Sequence, residues 1–176
     1  MKRKALLICL LVAMTFSLQA RISIEPTIAL SAGGTFTTKD VDILRSSYSI
    51  RTDLDLLCIN INEKHFISFP TYLALVSRTP YTGGYCLNSH VDYGIGLGYR
   101  YRFNDIFSLK GSLECALRYV PEVNGGLVSM GWSIEPWFHI NEYLAVTTPI
   151  RLGFTKFEGN VSVTVGLCYL PLGGWK

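Results

Sequence analysis

Charge is scarce in this sequence, and long apolar runs are missing. Only 16% of the 176 residues are charged although 49% are hydrophobic, whereas about 25% of the residues in a soluble domain are charged. After residue 20, no apolar run approaches the roughly 20 residues that a membrane-spanning helix needs. Membrane helices are therefore excluded, and the apolar residues must follow another pattern.

The residue patterns of metal, redox and phosphate sites are missing as well. The cysteines after residue 20 form no CxxC motif, and the three histidines are far apart. The glycines of GIGLG (94–98) alternate within a strand pattern, and no helix start follows them, so they do not form a phosphate-binding loop. His90, Asp92 and Ser89 are a thin basis for a hydrolase, and a solvated loop histidine is the simpler interpretation. We expect no cofactor, no metal and no enzymatic activity.

The first 20 residues have the three parts of a secretory signal peptide. A basic segment (2–4) precedes a short apolar stretch (5–16) and a small-residue cleavage site that ends at Ala20. We therefore divide the chain into a signal peptide, 1–20, and one domain, 21–176. The leader contains three of the 16 basic residues and no acid, which leaves 13 of each sign. Such a balance gives no reason to expect nucleic-acid binding.

Alternation with a period of two is the main pattern of the domain. In VDYGIGLGYRYRF (91–103) every odd position is bulky and every even position is small or charged, which predicts a strand with two unlike faces. Segment 47–59 alternates in the same way and places Cys58 on its apolar face. Eight segments are recognised: 22–30, 47–59, 65–76, 91–103, 106–119, 127–140, 143–154 and 161–170. Of these, 65–76 is apolar on both faces.

The connections differ in length at the two ends of these segments. INEK (61–64), FND (103–105) and INE (140–142) each place Asn before an acid, which suits tight turns. The longer links are 31–46, 77–90, 120–126 and 156–160. Short turns at one end and longer loops at the other are typical of a transmembrane barrel.

Twelve charged residues lie on the minor faces of these segments, six acids and six bases. They are Glu25, Arg51, Asp53, Asp55, Asp92, Arg100, Arg102, Lys110, Glu114, Arg118, Glu135 and Arg151. Small residues beside large charged ones suit the narrow interior of an eight-stranded barrel. We therefore predict that the apolar faces point to lipid and that the charges form a paired network in a filled lumen.

The run GIGLGYRYRFNDIFSLKGSLECALRY (94–119) resembles the strand–turn–strand unit of the small outer-membrane β-barrel superfamily. Its members include the OmpX/Ail, opacity-protein, OmpW and OmpA transmembrane-domain groups. The resemblance implies an all-β, eight-stranded antiparallel up-and-down barrel in the cell outer membrane. It also implies contact with outer-membrane lipid or lipopolysaccharide, with periplasmic chaperones and with the barrel-assembly machinery.

Two features depart from the family pattern. The terminal aromatic residue that serves as the assembly signal is either Tyr169 or Trp175. Four segments contain a proline: Pro26, Pro70, Pro136 and Pro149. At each of these positions a bulge or a strand end must accommodate the proline.

Three functions remain open from the sequence. The first is a barrel that presents surface loops for adhesion or binding or supports envelope integrity, with Tyr81, Tyr85 and Leu87 as loop contacts for an extracellular ligand. The second is a narrow OmpW-like channel for small hydrophobic molecules. The third is an exported soluble lipocalin-like barrel that binds an apolar ligand.

Overall fold

The computed structural model describes residues 22–38, 44–78, 89–121, 125–156 and 158–172. In this part of the chain no helix is long and apolar enough to cross a membrane. The regular structure consists of twelve strand segments: β1 (Ile22–Ile24), β2 (Thr27–Thr38), β3 (Leu44–Asp55), β4 (Cys58–Ile61), β5 (His65–Ser68), β6 (Thr71–Arg78), β7 (His90–Arg102), β8 (Phe107–Val120), β9 (Gly125–His139), β10 (Leu144–Thr147), β11 (Ile150–Thr155) and β12 (Gly159–Tyr169).

These segments form eight barrel strands, because four strands are interrupted once each. The pairs β1/β2, β3/β4, β5/β6 and β10/β11 each continue along the same neighbours. All pairings are antiparallel between strands adjacent in sequence, and β12 pairs with β2 from Gly159↔Thr38 to Tyr169↔Ile28. That last pairing joins the two ends of the sheet, so the barrel is closed. The predicted eight-stranded antiparallel fold is confirmed.

Each of the three short turns is fixed by an asparagine side chain. The Asn104 carboxamide oxygen accepts the N–H groups of Ile106 and Phe107, at 2.9 and 2.8 Å. Asn141 plays the same part in the third turn. In the first turn the Asn60 carboxamide oxygen accepts the Glu63 N–H at 2.9 Å. Asn62 and Glu63, two of the three residues between the paired Ile61 and His65, have positive φ, 57° and 62°. The Asn-acid pattern therefore does mark tight reversals, and we call this side of the barrel the short-turn end.

The opposite connections are shorter than the sequence predicts. β2 continues to Thr38 and β3 already begins at Leu44, so the first link spans 39–43 instead of 31–46. The second shrinks from 77–90 to 79–89 because β6 and β7 extend into it. The sequence predicts a loop from its small polar residues, but Ser31, Thr35 and Thr37 face the interior and continue the ladder. We call this side the loop end.

The strand formed by β3 and β4 contains a bulge at Leu56–Leu57. Between the pairs Thr27↔Asp55 and Ile24↔Ile59 this strand has one residue more than its neighbour. Both leucines are exposed on the outer wall, as expected when an extra residue interrupts the alternation. The prediction that Cys58 lies on the apolar face is therefore wrong. The bulge turns its side chain inward, where it is 2% exposed.

The four prolines lie at or beside interruptions of the ladder. Pro26 and Pro70 fall between segments of the two strands that flank the bulge, and Pro149 separates β10 from β11. Pro136 is inside β9, next to that last interruption. The carbonyls of Pro70, Pro136 and Pro149 still accept backbone N–H groups at 2.8–3.1 Å. Each proline therefore lies where the backbone hydrogen-bond ladder is already interrupted, or where its nitrogen, which carries no hydrogen, points towards the interruption.

The wall has an apolar outer face and a largely polar inner face. Along β7 the outward residues Tyr93, Ile95 and Leu97 are 61%, 61% and 51% exposed, whereas inward Asp92 and Arg100 are 8% and 4% exposed. This is the reverse of a soluble barrel, whose apolar side chains face inward. Exposed outward aromatics occur towards both ends of the wall: Tyr48, Tyr93, Tyr99, Phe103, Tyr119, Phe138, Tyr143, Phe154 and Tyr169.

The strand formed by β5 and β6 is apolar on both faces, which its sequence already indicated. Its outward residues are apolar like those of its neighbours, but Phe66, Tyr72, Ala74 and Val76 also point inward and are buried. This strand therefore supplies apolar filling for the interior. The filling lies beside the charged residues of the neighbouring strands.

Candidate functional site

Three inward residues of β3 reach across the middle of the barrel. The Arg51 guanidinium donates hydrogen bonds to Asp53 on its own strand and to both carboxylate oxygens of Glu114 on β8, the latter at 2.7 and 2.8 Å. Lys110, also on β8, donates to Asp55 at 3.0 Å. Because β3 and β8 are separated by two barrel strands, these contacts cross the lumen.

Arg151 on β11 completes this layer from the other side. Its guanidinium lies 3.4 Å from Asp53 and 3.5 Å from Glu135, and it donates to the Thr164 hydroxyl at 3.0 Å. The interactions link β3 to β8, β9 and β11 through charged residues that are each less than one-tenth exposed. We call this set the middle cluster: Arg51, Asp53, Asp55, Lys110, Glu114, Glu135 and Arg151.

A second cluster lies towards the loop end. Arg118 donates two hydrogen bonds to the Asp92 carboxylate, at 2.8 and 2.9 Å, and one to Glu158 at 2.6 Å. His90 lies beside it, with Nε2 at 3.8 Å from Asp92. His90 is 3% exposed, so the interpretation of this residue as a solvated loop histidine is wrong. The extension of β7 to residue 90 carries the imidazole into the barrel.

Arg100 lies between aromatic rings near the short-turn end. Its guanidinium carbon is 4.0 Å from the Phe66 ring centroid and 4.6 Å from that of Trp137, within the range of cation–π attraction. A guanidinium nitrogen of Arg100 is 3.6 Å from Glu25, which accepts a hydrogen bond from Asn60 at 2.6 Å. Aromatic side chains and one cation fill this end of the lumen.

The alternating glycines of β7 provide space for these side chains. A Cβ on Gly94 would lie 2.4 Å from the Tyr72 ring, and one on Gly98 would lie 2.9 Å from the Lys110 side chain. The Arg51 guanidinium in turn stacks over the Tyr72 ring, with its carbon 3.6 Å from the ring centroid. The glycines are therefore needed for close approach of side chains and not for a turn or a bound phosphate.

Eleven of the twelve charged residues singled out from the sequence are buried inside the barrel. Arg102 is the exception, since it lies at the short-turn rim and contacts exposed Asp105 at 3.4 Å. The alternation does not indicate Glu158, because this residue follows β11 in segment 156–160, which the sequence predicts as a loop. With Glu158 included, the buried interior of the described residues holds seven carboxylates and five cations.

A small cup remains open on the loop side of the middle cluster. It has about 70 Å³ of space for water and is lined mainly by small or polar side chains, with Arg51, Glu114 and Arg151 at its inner side. Small residues such as Ser49, Ala74 and Ser129 leave this volume unfilled.

The other sequence-based candidates lie elsewhere. Tyr81, Tyr85 and Leu87 fall outside the described residues, as do the signal peptide and Trp175. Tyr169, the other candidate for the assembly signal, is the last residue of β12 and points outward. Within the described ranges, no group of three or more His, Cys, Asp or Glu residues is arranged to hold a metal ion.

No family model matches the sequence, and no curated protein matches it either. The fold is nevertheless similar to solved structures of small outer-membrane barrels. Ail, the attachment invasion locus protein of Yersinia pestis, superposes with a TM-score of 0.55 at 11% identity, over 84% of this chain and 98% of Ail. Neisserial surface protein A (NspA) superposes with a TM-score of 0.57 at 12% identity, over 85% of this chain and 99% of NspA. Ail has also been solved in complex with the heparin analogue sucrose octasulfate, and that structure superposes with a TM-score of 0.53. At these identities the likeness concerns the fold, a closed eight-stranded transmembrane barrel.

Proposed function

We propose that this protein is a non-enzymatic, integral outer-membrane barrel whose filled lumen serves as a rigid scaffold for surface loops. The observation that carries the proposal is the polarity of the wall, with an apolar outer face and ion pairs inside. Such a wall is stable where hydrocarbon surrounds it, because every strand edge is paired and the charges are shielded from lipid.

The short-turn end is proposed to face the periplasm and the loop end the outside of the cell. The first and last described strands both reach the short-turn end. Ile22 pairs with Ile61 beside the first short turn, and the Leu170 N–H donates to the Tyr143 carbonyl of the third. In outer-membrane barrels the short turns are periplasmic and the longer connections extracellular. The aromatic residues towards both ends of the wall suit the two membrane–water interfaces.

The polarity of the interior argues against the lipocalin-like alternative. A barrel that binds an apolar ligand needs an apolar cavity, whereas this lumen contains the middle cluster and the Arg118 cluster. An open channel is also disfavoured. Arg51, Lys110 and Arg151 span the barrel from different strands, and the rings of Phe66 and Trp137 occupy the space around Arg100.

The connection between β6 and β7, residues 79–89, is the longest link at the loop end. It contains Tyr81, Tyr85 and Leu87, and we propose that these apolar side chains contact an extracellular partner or the lipopolysaccharide surface. The names of the similar proteins, an attachment invasion locus protein and a surface protein, agree with display at a cell surface.

Membrane fractionation combined with a heated-versus-unheated gel tests the location and the fold. The mature chain is expected in the outer-membrane fraction and, without heating, is expected to migrate anomalously as a folded barrel. Recovery as a detergent-independent soluble protein would refute the proposal.

Planar-bilayer recording tests the filled lumen separately. The intact barrel is expected to show no discrete conductance steps, because charged and aromatic side chains occupy the interior. Regular openings of one size would instead favour the channel.

A further inference from the structure

Three neighbouring strands of the barrel are interrupted at matching positions, 25–26, 56–57 and 69–70. We call these positions the interrupted level. The segments that lie between this level and the short-turn end pair with one another, β1 with β4 and β4 with β5. We call this three-stranded piece, together with the first short turn, the flap. The remaining interruption, between β10 and β11, lies elsewhere in the sheet.

The flap is held by a continuous ladder along one of its two edges. At that edge β5 pairs with β7 over the whole length of β5. At the other edge the ladder that closes the barrel ends at Ile28↔Tyr169, and β1 lies beyond this pair. Within the described residues β1 has no strand partner besides β4. The β1 edge of the flap is therefore free of ladder bonds to the rest of the barrel.

The interrupted level is bridged by isolated backbone hydrogen bonds. The Glu25 N–H donates to the Cys58 carbonyl at 2.8 Å, and the Phe69 N–H donates to the Leu57 carbonyl at 3.2 Å. The proline that follows each of these two donors has no N–H to contribute. The wall is consequently less firmly bonded here than along the uninterrupted strands.

The inner side of the interrupted level carries buried oxygen atoms without a hydrogen-bond partner. They are Glu25 Oε2, Asp55 Oδ1 and Ser68 Oγ, and their residues are at most 8% exposed. A buried polar atom without such a partner raises the free energy of the closed wall. Because water can reach these atoms when the wall opens, they lower the free energy that opening requires at this level.

Arg100 on β7 opposes opening from the inside. Its guanidinium carbon lies 4.0 Å from the Phe66 ring centroid of β5, and a guanidinium nitrogen lies 3.6 Å from Glu25. The Glu25 carboxylate also accepts a hydrogen bond from Asn60 of β4 at 2.6 Å. Inward side chains converge in a curved wall and move apart when the wall flattens. The ion pair between Glu25 and Arg100 therefore stabilises the closed flap.

We infer that the flap opens sideways as one unit, with β7 as its hinge and the Glu25–Arg100 ion pair as its latch. Opening exposes the thiol of Cys58, the first residue of β4, which is 2% exposed in the closed wall. The strands on the loop side of the interrupted level keep their ladders, so the loops keep their scaffold. This local opening is independent of the proposed role of the loops.

Thiol labelling tests this inference, because Cys168 is a matched control. Cys168 lies in the uninterrupted strand β12 and is fully buried, so global unfolding is needed to expose it. The full mature protein, folded in detergent micelles, is treated with iodoacetamide, and peptide mass spectrometry follows both cysteines. Each rate is normalised to that of the urea-unfolded protein. We expect Cys58 to react at least about tenfold faster than Cys168, because local opening requires less free energy than global unfolding.

Matched variants test the latch. Glu25→Gln removes the ion pair with Arg100 and should accelerate the labelling of Cys58 by at least about tenfold. Glu158→Gln removes a buried carboxylate at the loop end, where it contacts Arg118 at 2.6 Å, and should leave the Cys58 rate unchanged. If Glu25→Gln fails to fold on an unheated gel, the comparison of the two cysteines in the wild type decides alone.

Hydrogen exchange gives a second readout that does not depend on thiol chemistry. Amides in segment 58–68 should exchange faster than those in segment 161–169. Equal labelling rates for the two cysteines, or equal protection of the two segments, would overturn the flap. A Cys58 rate that is unchanged in folded Glu25→Gln would overturn the latch. None of these outcomes depends on the membrane location or on the loops, which the fractionation and the planar-bilayer recording test separately.

Discussion

Removal of the Arg51 guanidinium should destabilise the barrel more than removal of a charge at its rim. In Arg51→Met the new side chain still covers the Tyr72 ring, but the two hydrogen bonds to Glu114 are lost. After this substitution Asp53 still has its ion pair with Arg151 at 3.4 Å, and Glu114 still accepts a hydrogen bond from the Ser112 hydroxyl at 3.2 Å. Leaving a buried carboxylate without its cation costs about 3–5 kcal/mol. We therefore expect a loss of that size in the free energy of unfolding.

Urea titration of the refolded protein in detergent micelles measures this loss, with the unheated-gel mobility as a second readout. Arg102→Met is the matched control. Its contact with exposed Asp105 at 3.4 Å should contribute at most about 1 kcal/mol.

A double variant gives a stricter test. Arg51→Met combined with Glu114→Gln removes both charges and should recover most of the stability, because a neutral amide is cheaper to bury than an unpaired carboxylate. The reasoning is refuted if the single variant loses less than about 1 kcal/mol. It is also refuted if the double variant is as unstable as the single one.

Two further predictions concern glycine and cysteine. Gly94→Ala should cost roughly 1–3 kcal/mol, since its Cβ would lie 2.4 Å from the Tyr72 ring, whereas Gly111→Ala on the open outer wall should stay within about 0.5 kcal/mol. Equal unfolding midpoints for the two variants would contradict the space-filling role of Gly94. In bilayers Cys115 faces hydrocarbon on the outer wall and Cys168 is fully buried, so a water-soluble maleimide should label neither cysteine until the protein unfolds. Peptide mass spectrometry identifies the labelled site, and early labelling of Cys168 would show that the lumen is open.

The sequence predicts the number of strands and their faces because alternation with a period of two recurs along most of the eight segments, although 65–76 is apolar on both faces. It does not predict the bulge at Leu56–Leu57, where the alternation of inward and outward side chains shifts by one residue. At this level the strand has one residue more than each of the two adjacent strands, and only the pairing register shows that difference. Cys58 was placed on the wrong face for that reason. Prolines on both flanking strands were a usable signal, since they mark the level where the ladder breaks.

The charged interior was predictable as a set, but its pairing was not. Arg51 and Glu114 are 63 residues apart, and their contact depends on closure of the barrel. Glu158 lies beyond a strand whose end the sequence does not mark, and it was missed although it receives a 2.6 Å hydrogen bond from Arg118. Loop lengths were overestimated because serine and threonine near the strand ends face a polar lumen here.

The seam between β2 and β12 has a kinetic consequence. Its register pairs residues that are far apart in the chain, Ile28 with Tyr169, so this contact closes a loop that contains most of the described residues and cannot form before Tyr169 has been synthesised. Contacts of such long sequence separation form slowly. Until then both outer strands expose unpaired backbone groups that invite association with other chains. A truncation within β12 should therefore shift the balance from insertion towards precipitation, even though most of the other pairings stay intact.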